Sequence, residues 1–132
     1  MTNIELVQEV YAAFNRRDLE AALAISHPDV EFFAPTAEMA NEGEPYRGHA
    51  GMRKYYEDVQ NVWLELEVLP KEYREVDDAT VLVFGRVYGR GEGGYIQDSP
   101  AQWVLRIRDG LVWSIRVFTN KSAALAEAGL PE

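Results

Sequence analysis

The sequence predicts an α+β domain, with helices early in the chain and a curved antiparallel sheet late, the helices lying in the sheet's concavity. Three observations carry this. Apolar residues recur at helical spacing at Ile4, Val7, Val10, Tyr11 and Phe14, and again at Met52, Tyr55, Tyr56, Val59, Val62 and Trp63. From Leu64 the period changes to two, with Leu64, Leu66 and Val68 alternating with Glu65 and Glu67. Asp109-Gly110, set between two alternating apolar runs, is a strong hairpin signal. Helices followed by consecutive antiparallel strands make an α+β layout.

The elements follow in order. Thr2 and Glu5 form a capping-box pattern that opens the first helix. Asp18 caps a second, short helix through Leu19, Leu23 and Ile25, which His27-Pro28 ends because proline removes a donor and restricts its predecessor. Asp29 to Ala34 reads as a strand, and Pro35 to Arg47 as the long irregular stretch. Gly48-His49 opens the third helix. After the Leu64 strand come a turn at Asp77-Asp78, a strand from Thr80 to Arg90 and a flexible turn from Gly91 to Gly94. Tyr95 to Arg108 is a long strand in which Pro100 marks an edge or a bulge. Leu111 to Phe118 pairs back on it, and a short helix closes the chain with Gly129 as its stop.

The length of 132 residues fits a single domain, 1–132, able to bury a useful core without staples. There is no cysteine, which removes disulfides, thiolate metal sites and thiol catalysis. The two histidines stand far apart in the sequence without an HExxH pattern, so no metal site and no cofactor is expected. A formal net charge of −9 repels polyphosphates and argues against a nucleic-acid partner. No apolar run reaches the roughly 18 residues of a spanning helix, and the start lacks a signal-peptide pattern, so the expectation is a soluble cytoplasmic protein without a membrane partner.

Strand alternation divides the sheet's faces. The large aromatic sets suit the concave side: Leu82, Phe84, Arg86 and Tyr88 on one strand, Trp103, Leu105 and Ile107 on the next, and Leu111, Trp113, Ile115 and Val117 on the last. The opposite sets mix Val and Phe with Arg, a composition that suits a homodimer interface on the outer sheet face.

Tyr11-Ala12-Ala13-Phe14-Asn15 with Asp18-Leu19, then Asp29-Val30-Glu31-Phe32, Tyr46-Arg47-Gly48-His49-Ala50-Gly51, Arg108-Asp109-Gly110, Arg116-Val117-Phe118-Thr119 and Ala123 to Leu130 follow one another in a telling order. Over nearly the whole chain they resemble the SnoaL-like branch of the nuclear transport factor 2-like superfamily. The resemblance implies a cystatin-like cone with a deep pocket, often dimeric through the outer face of the sheet. Members include polyketide cyclases, ketosteroid isomerases, limonene epoxide hydrolases, dehydratases and non-catalytic binding modules, so the fold leaves function open.

The catalytic groups of those relatives mostly do not carry over. The isomerases' tyrosine, carboxylate base and protonated acid correspond to Val10, Phe33 and Trp103, and only Tyr56 matches a supporting tyrosine. Of the epoxide hydrolases' Arg-x-Asp pair and second Asp, Arg86-Val87-Tyr88 keeps the arginine alone, and Val117 replaces the second acid. The carboxylate of the cyclases has no counterpart on the expected inward face of the last three strands.

Arg86 is the inward candidate: a permanently charged guanidinium that holds an anionic or oxyanion-forming ligand group, or else pairs internally with Glu31. Tyr88 and Tyr56 orient a ligand oxygen or serve as core aromatics. His49 is a general acid/base at the pocket mouth, or a residue at the helix start facing water. His27 reads as a helix terminator, and Glu31, Glu38 and Asp98 as the remaining acids that either approach the cavity or stand as solvated surface charges. Phe14, Phe33, Phe84, Trp103, Trp113, Ile115 and Val117 line an apolar cavity, or fill it as core. The expected function is a pocket for a small, largely apolar molecule with one anionic or oxyanion-forming group. Cofactor-independent isomerisation, cyclisation, dehydration or hydrolysis is the reaction class if there is turnover. The alternative is a non-catalytic ligand-binding or protein-interaction module acting as a dimer.

Overall fold

In a computed structural model that describes residues 1–131, helix α1 (Asn3–Asn15) begins at its capping box: Glu5 N donates to Thr2 Oγ1 at 3.1 Å and Thr2 N to Glu5 Oε1 at 2.8 Å. Asp18 caps α2 (Leu19–Ala24), accepting from Ala21 N at 3.1 Å. Strand β1 (Ser26–Phe33) starts earlier than the sequence suggests. Its ladder with β6 is interrupted between Ser26 and Glu31, so Pro28 sits where no ladder bond is needed. The stretch read as irregular contains a short helix α3 (Thr36–Ala40) and a two-residue strand β2 (Tyr46–Arg47). Then follow α4 (Gly48–Val62), β3 (Trp63–Asp77), β4 (Thr80–Gly91), a 3₁₀ turn (Glu92–Gly94), β5 (Ile96–Arg108), β6 (Leu111–Phe118) and α5 (Lys121–Ala128).

The six strands form one sheet in the order β2-β1-β6-β5-β4-β3, antiparallel except for the parallel β1–β6 pair. Pro100 causes no bulge, because the β4–β5 register runs unbroken from Arg90↔Ile96 to Thr80↔Arg106. Strand β6 pairs only with Gln102–Arg108, so Pro100 lies on a stretch of β5 with one free edge. The other exposed edge, β3, is covered by α1. Asn15 donates to Val68 O at 2.8 Å and accepts from Val68 N at 3.1 Å, so its amide takes the place of a neighbouring strand. Asn3 donates to Asp78 O at 2.8 Å, which fixes α1 along the strand at its other end.

Register sets the faces. Val81 pairs with Leu105, Val83 with Trp103, Gly85 with Ala101 and Val87 with Ser99, so these residues point together into the concavity. They meet Leu6, Val7, Tyr11 and Phe14 of α1 and Met52, Tyr55 and Val59 of α4 in the main core. This reverses the expectation for β4: Leu82, Phe84, Arg86 and Tyr88 lie on the outer face. The reason is α5, which packs on that face and buries Leu82 and Val104 beneath Ala124, Leu125 and Ala128, with Phe84 and Phe118 at its margin. Of the apolar residues that suggested a dimer interface, Val104 and Phe118 are thus covered by the chain's own last helix, while Val81, Val83, Val87 and Val112 face the concavity.

Two further aromatics move for related reasons. The β5–β6 register shifts between Arg106 and Ile107, so Val112 takes the inward place opposite Ile107 and Trp113 lies 4.1 Å from the Arg108 guanidinium instead. On β1 it is Phe32 that turns inward, 4.6 Å from the Tyr55 ring, while Phe33 pairs in register with Arg116 and lies 4.0 Å beneath its guanidinium on the α5 side.

Candidate functional site

The concavity is not filled. Helices α1, α2 and α4, the chain around Thr36 and the inner sheet face enclose a cavity of about 90 Å³. That is well above the roughly 10–15 Å³ one water needs. The space exists because the sheet's inner face is small there: Ala101 and Ser99 offer little side-chain volume. At Gly85 a Cβ would collide with the carbonyl oxygen of Leu69, so only glycine lets β3 close over β4 at that row. At Gly89 a Cβ would lie 2.7 Å from the Trp63 ring, so this glycine lets Trp63 lie flat as a wall. Trp63 Nε1 then donates to Thr36 Oγ1 at 3.3 Å.

Among the described residues no charged side chain lines the cavity. Its walls are mostly aromatic and aliphatic, from Tyr11, Phe14, Phe32, Met52, Tyr55, Tyr56, Trp63, Trp103, Ile115 and Val117, with Ser26, Thr36, Gln97, Ser99 and Thr119 as neutral polar groups. Two of the lining residues present unusual atoms: the Tyr11 hydroxyl and the Ser99 hydroxyl are buried and have no hydrogen-bond partner among the described residues. A third such atom, Gln102 Oε1, belongs to a residue in register with Phe84 and Phe118 on the opposite face. Burial pushes the phenols of Tyr11 and Tyr55 up, and Tyr56 up to about 12 against the lowering pull of the Arg17 charge. All three remain protonated hydrogen-bond donors at neutral pH.

Of the residues the sequence suggests for a pocket, Phe14, Tyr56, Trp103, Ile115 and Val117 line it. Arg86 does not: on the outer face its guanidinium donates to Asp98 Oδ1 at 2.9 Å, and its side chain is 39% exposed. Tyr88, in register with Asp98, shares that face, as do Phe84 and Phe33. Glu31 pairs with Arg47 at 3.0 Å rather than with Arg86. His49 is not in the lining either. Its Nε2 is 2.9 Å from the carbonyl oxygen of Ser26, which ties the first turn of α4 to β1. His27 is outside the lining too, largely buried with its side chain 14% exposed and its Nδ1 accepting from Asp29 N at 3.0 Å. The best-buried carboxylate, Asp58, is consumed outside the cavity by the Tyr46 hydroxyl at 2.8 Å and Lys54 Nζ at 2.6 Å.

Sequence reasoning missed Tyr11, Ser99, Tyr55 and Trp63 as lining residues. Tyr11 stands in the apolar stripe of α1, and a tyrosine there needs a partner for its hydroxyl, which was the available signal. It also missed Arg17. A second, more open cleft shares Tyr56, Trp63 and Leu66 with the cavity, and Arg17, Arg53, Glu57 and Glu65 stand around it. Arg17 Nη1 and Nη2 donate to Phe14 O and Leu66 O, each at 2.6 Å, and the guanidinium lies 4.1 Å over the Phe14 ring. Among the described residues there is no cluster of metal-ligating side chains, and no helix is long and apolar enough to cross a membrane.

The family profile of the SnoaL-like domain matches residues 7–115. Among solved structures, TerC co-crystallised with polyporic acid is 27% identical, with a TM-score of 0.78 and coverage of 96% of this chain and 98% of that one. A candidate polyketide cyclase from Pseudomonas putida is 25% identical, with a TM-score of 0.70 and coverage of 92% and 94%. An NTF2-like protein of unknown function from Burkholderia pseudomallei, 23% identical with a TM-score of 0.79 over 94% and 95% of the two chains, shares the fold. No curated protein matches the sequence.

Proposed function

The chain belongs to the SnoaL-like domain family, and from that premise we propose that it binds a small, largely apolar and uncharged organic molecule inside the cone. The observation that carries this reading is the cavity lining, mostly aromatic and aliphatic and, among the described residues, without one charged side chain. Moving a carboxylate or an ammonium into such a space costs far more than moving a ketone or an alcohol. The anion anchor that Arg86 would have supplied is turned to the other face of the sheet. TerC, which co-crystallises with polyporic acid, supports a small-molecule occupant for the same fold at 27% identity.

The lining favours binding over proton transfer. Among the described residues it holds no carboxylate and no histidine, and phenols pushed well above their usual range are poor bases at neutral pH. A second reading has one observation in its favour: protonated phenols in a dry cavity can donate hydrogen bonds to an oxyanion that forms on a bound carbonyl. A cofactor-independent cyclisation or isomerisation that draws its proton shuttle from the substrate itself would fit that arrangement.

A thermal-shift panel of neutral aromatic and terpenoid ketones and alcohols, each beside its carboxylate analogue, tests the first reading. A neutral ligand at a hundred times its Kd stabilises by roughly 2.7 kcal/mol, a rise in melting temperature on the order of 10 °C. A panel in which only carboxylates raise the melting temperature contradicts the reading.

A further inference from the structure

We propose that the Tyr11 and Ser99 hydroxyls are two hydrogen-bond stations for the occupant, which therefore carries a neutral oxygen at each of two positions on an otherwise apolar body. This rests on the pocket reading above and names the class of ligand the pocket takes.

Buried polar atoms in folded chains are overwhelmingly paired, because an unpaired one keeps the full cost of losing water. Among the described residues only three buried side-chain polar atoms lack a partner, and two of them belong to the lining of one cavity. Both are neutral hydroxyls, so both fit a carbonyl or hydroxyl, and neither brings the opposite charge that would offset burying an ion.

The two stations are set at different rows of the sheet. Tyr11 is held edge-on to Trp103, with ring centroids 5.2 Å apart, and to Tyr73 at 6.3 Å; Tyr73, Val83 and Trp103 form one cross-strand row. Ser99 stands in the row of Val87 and Val68, four residues away along β5, or about 13 Å of strand. Asn15 and Asn3 lock α1 to β3 at both ends, so Tyr11 cannot slide toward Ser99 to satisfy it. A molecule with two oxygens offers one to each hydroxyl, whereas a molecule with a single oxygen leaves one hydroxyl without a partner of its own. Burial keeps the Tyr11 phenol protonated, so it donates to a ligand oxygen. A serine hydroxyl also accepts, so the Ser99 end takes an alcohol or phenol as readily as a ketone. The class is a diol, hydroxyketone or diketone on a ring scaffold.

The test is a calorimetric titration of naphthalene, 2-naphthol and 2,6-dihydroxynaphthalene into the wild-type protein and into Tyr11→Phe and Ser99→Ala, together with the melting temperature of each variant without ligand. The diol is expected to bind tighter than naphthalene, with 2-naphthol between. Each variant should lose about tenfold in affinity for the diol, the order expected for one hydrogen bond, and keep its affinity for naphthalene. Without ligand, each variant should melt at or above the wild type, because it has shed an unpaired buried hydroxyl. Variants that melt lower mean the hydroxyl has a protein partner, which overturns the proposal, as do variants that keep their affinity for the diol. Wild-type protein that binds all three probes equally overturns the two stations and leaves the apolar pocket standing. Binding of none overturns both.

Discussion

Tyr11 lies edge-on to Trp103, ring centroids 5.2 Å apart and planes at 83°, and its hydroxyl meets no protein partner. Packing holds the ring while the polar end is left open. This is the converse of Tyr46, whose ring is equally buried and whose hydroxyl is spent on Asp58 at 2.8 Å. The first arrangement builds a site and the second builds the fold. Four consequences of this division can be measured.

The cavity depends on the small residues of the inner sheet face, so Ala101→Leu should fill it. Ala101 is 1% exposed and sits opposite Gly85. The variant should still melt cooperatively, with a change of about 1–3 kcal/mol for overpacking, and should lose the thermal shift that neutral ligands give the wild type. A preserved ligand shift would place the ligand elsewhere.

Gly85→Ala should destabilise the fold itself. The added Cβ meets the backbone of Leu69 and Pro70, which cannot rotate away as a side chain would. A loss of about 1–3 kcal/mol in urea denaturation is expected, and a neutral result would show that β3 lifts from β4 at no cost.

Arg86→Ala should leave ligand binding unchanged. The side chain pairs with Asp98 on the outer face, and an exposed pair of this kind contributes less than about 1 kcal/mol. A thermal-shift comparison with the wild type checks both statements, and loss of ligand response would restore Arg86 to the site.

Alkaline pH should weaken the protein through its cavity tyrosines. Burial raises the folded-state phenols of Tyr11, Tyr55 and Tyr56 above the ordinary value near 10, Tyr56 to about 12. A raised folded pKa means that the protonated form is favoured by folding. The associated stability is therefore fully present below about pH 10 and is lost as pH rises toward and through the folded values. Urea midpoints should hold steady from pH 7 to about 9.5 and fall from about pH 10 upward, with phenolate absorbance appearing in step. Phenols that all titrate near pH 10 with the fold intact would contradict the burial.

Much of the fold was legible because local rules act alone there. Thr2 and Glu5, Asp18, the Asp109-Gly110 hairpin and Gly129 each fix an element end by its own chemistry, and each stands where the sequence puts it. The inward faces of Trp103, Ile115 and Val117 were legible because β5 and β6 keep strict alternation where they matter. The face of β4 was not. Leu82 and Phe84 look like core, and Leu82 is core, but it belongs to a second layer made by α5, while the true inner residues of β4 are small because helix side chains and the cavity occupy the space. Trp113 failed for a different reason, a one-residue register shift that alternation cannot reveal. Arg86 followed β4 to the wrong face, and with it went the anionic anchor. Tyr11 and Ser99 carry no motif. They become visible only when packing shows which hydroxyls find no partner.

The most direct measurement is a pair of calorimetric titrations of the wild-type protein at neutral pH, one with 2-naphthol and one with 2-naphthoate. These differ little in their apolar body and fully in charge. A charge-free cavity takes the naphthol and refuses the naphthoate. Naphthoate binding as tightly as naphthol would mean that a cation reaches the occupant, and the account of an uncharged ligand in the cone would be wrong.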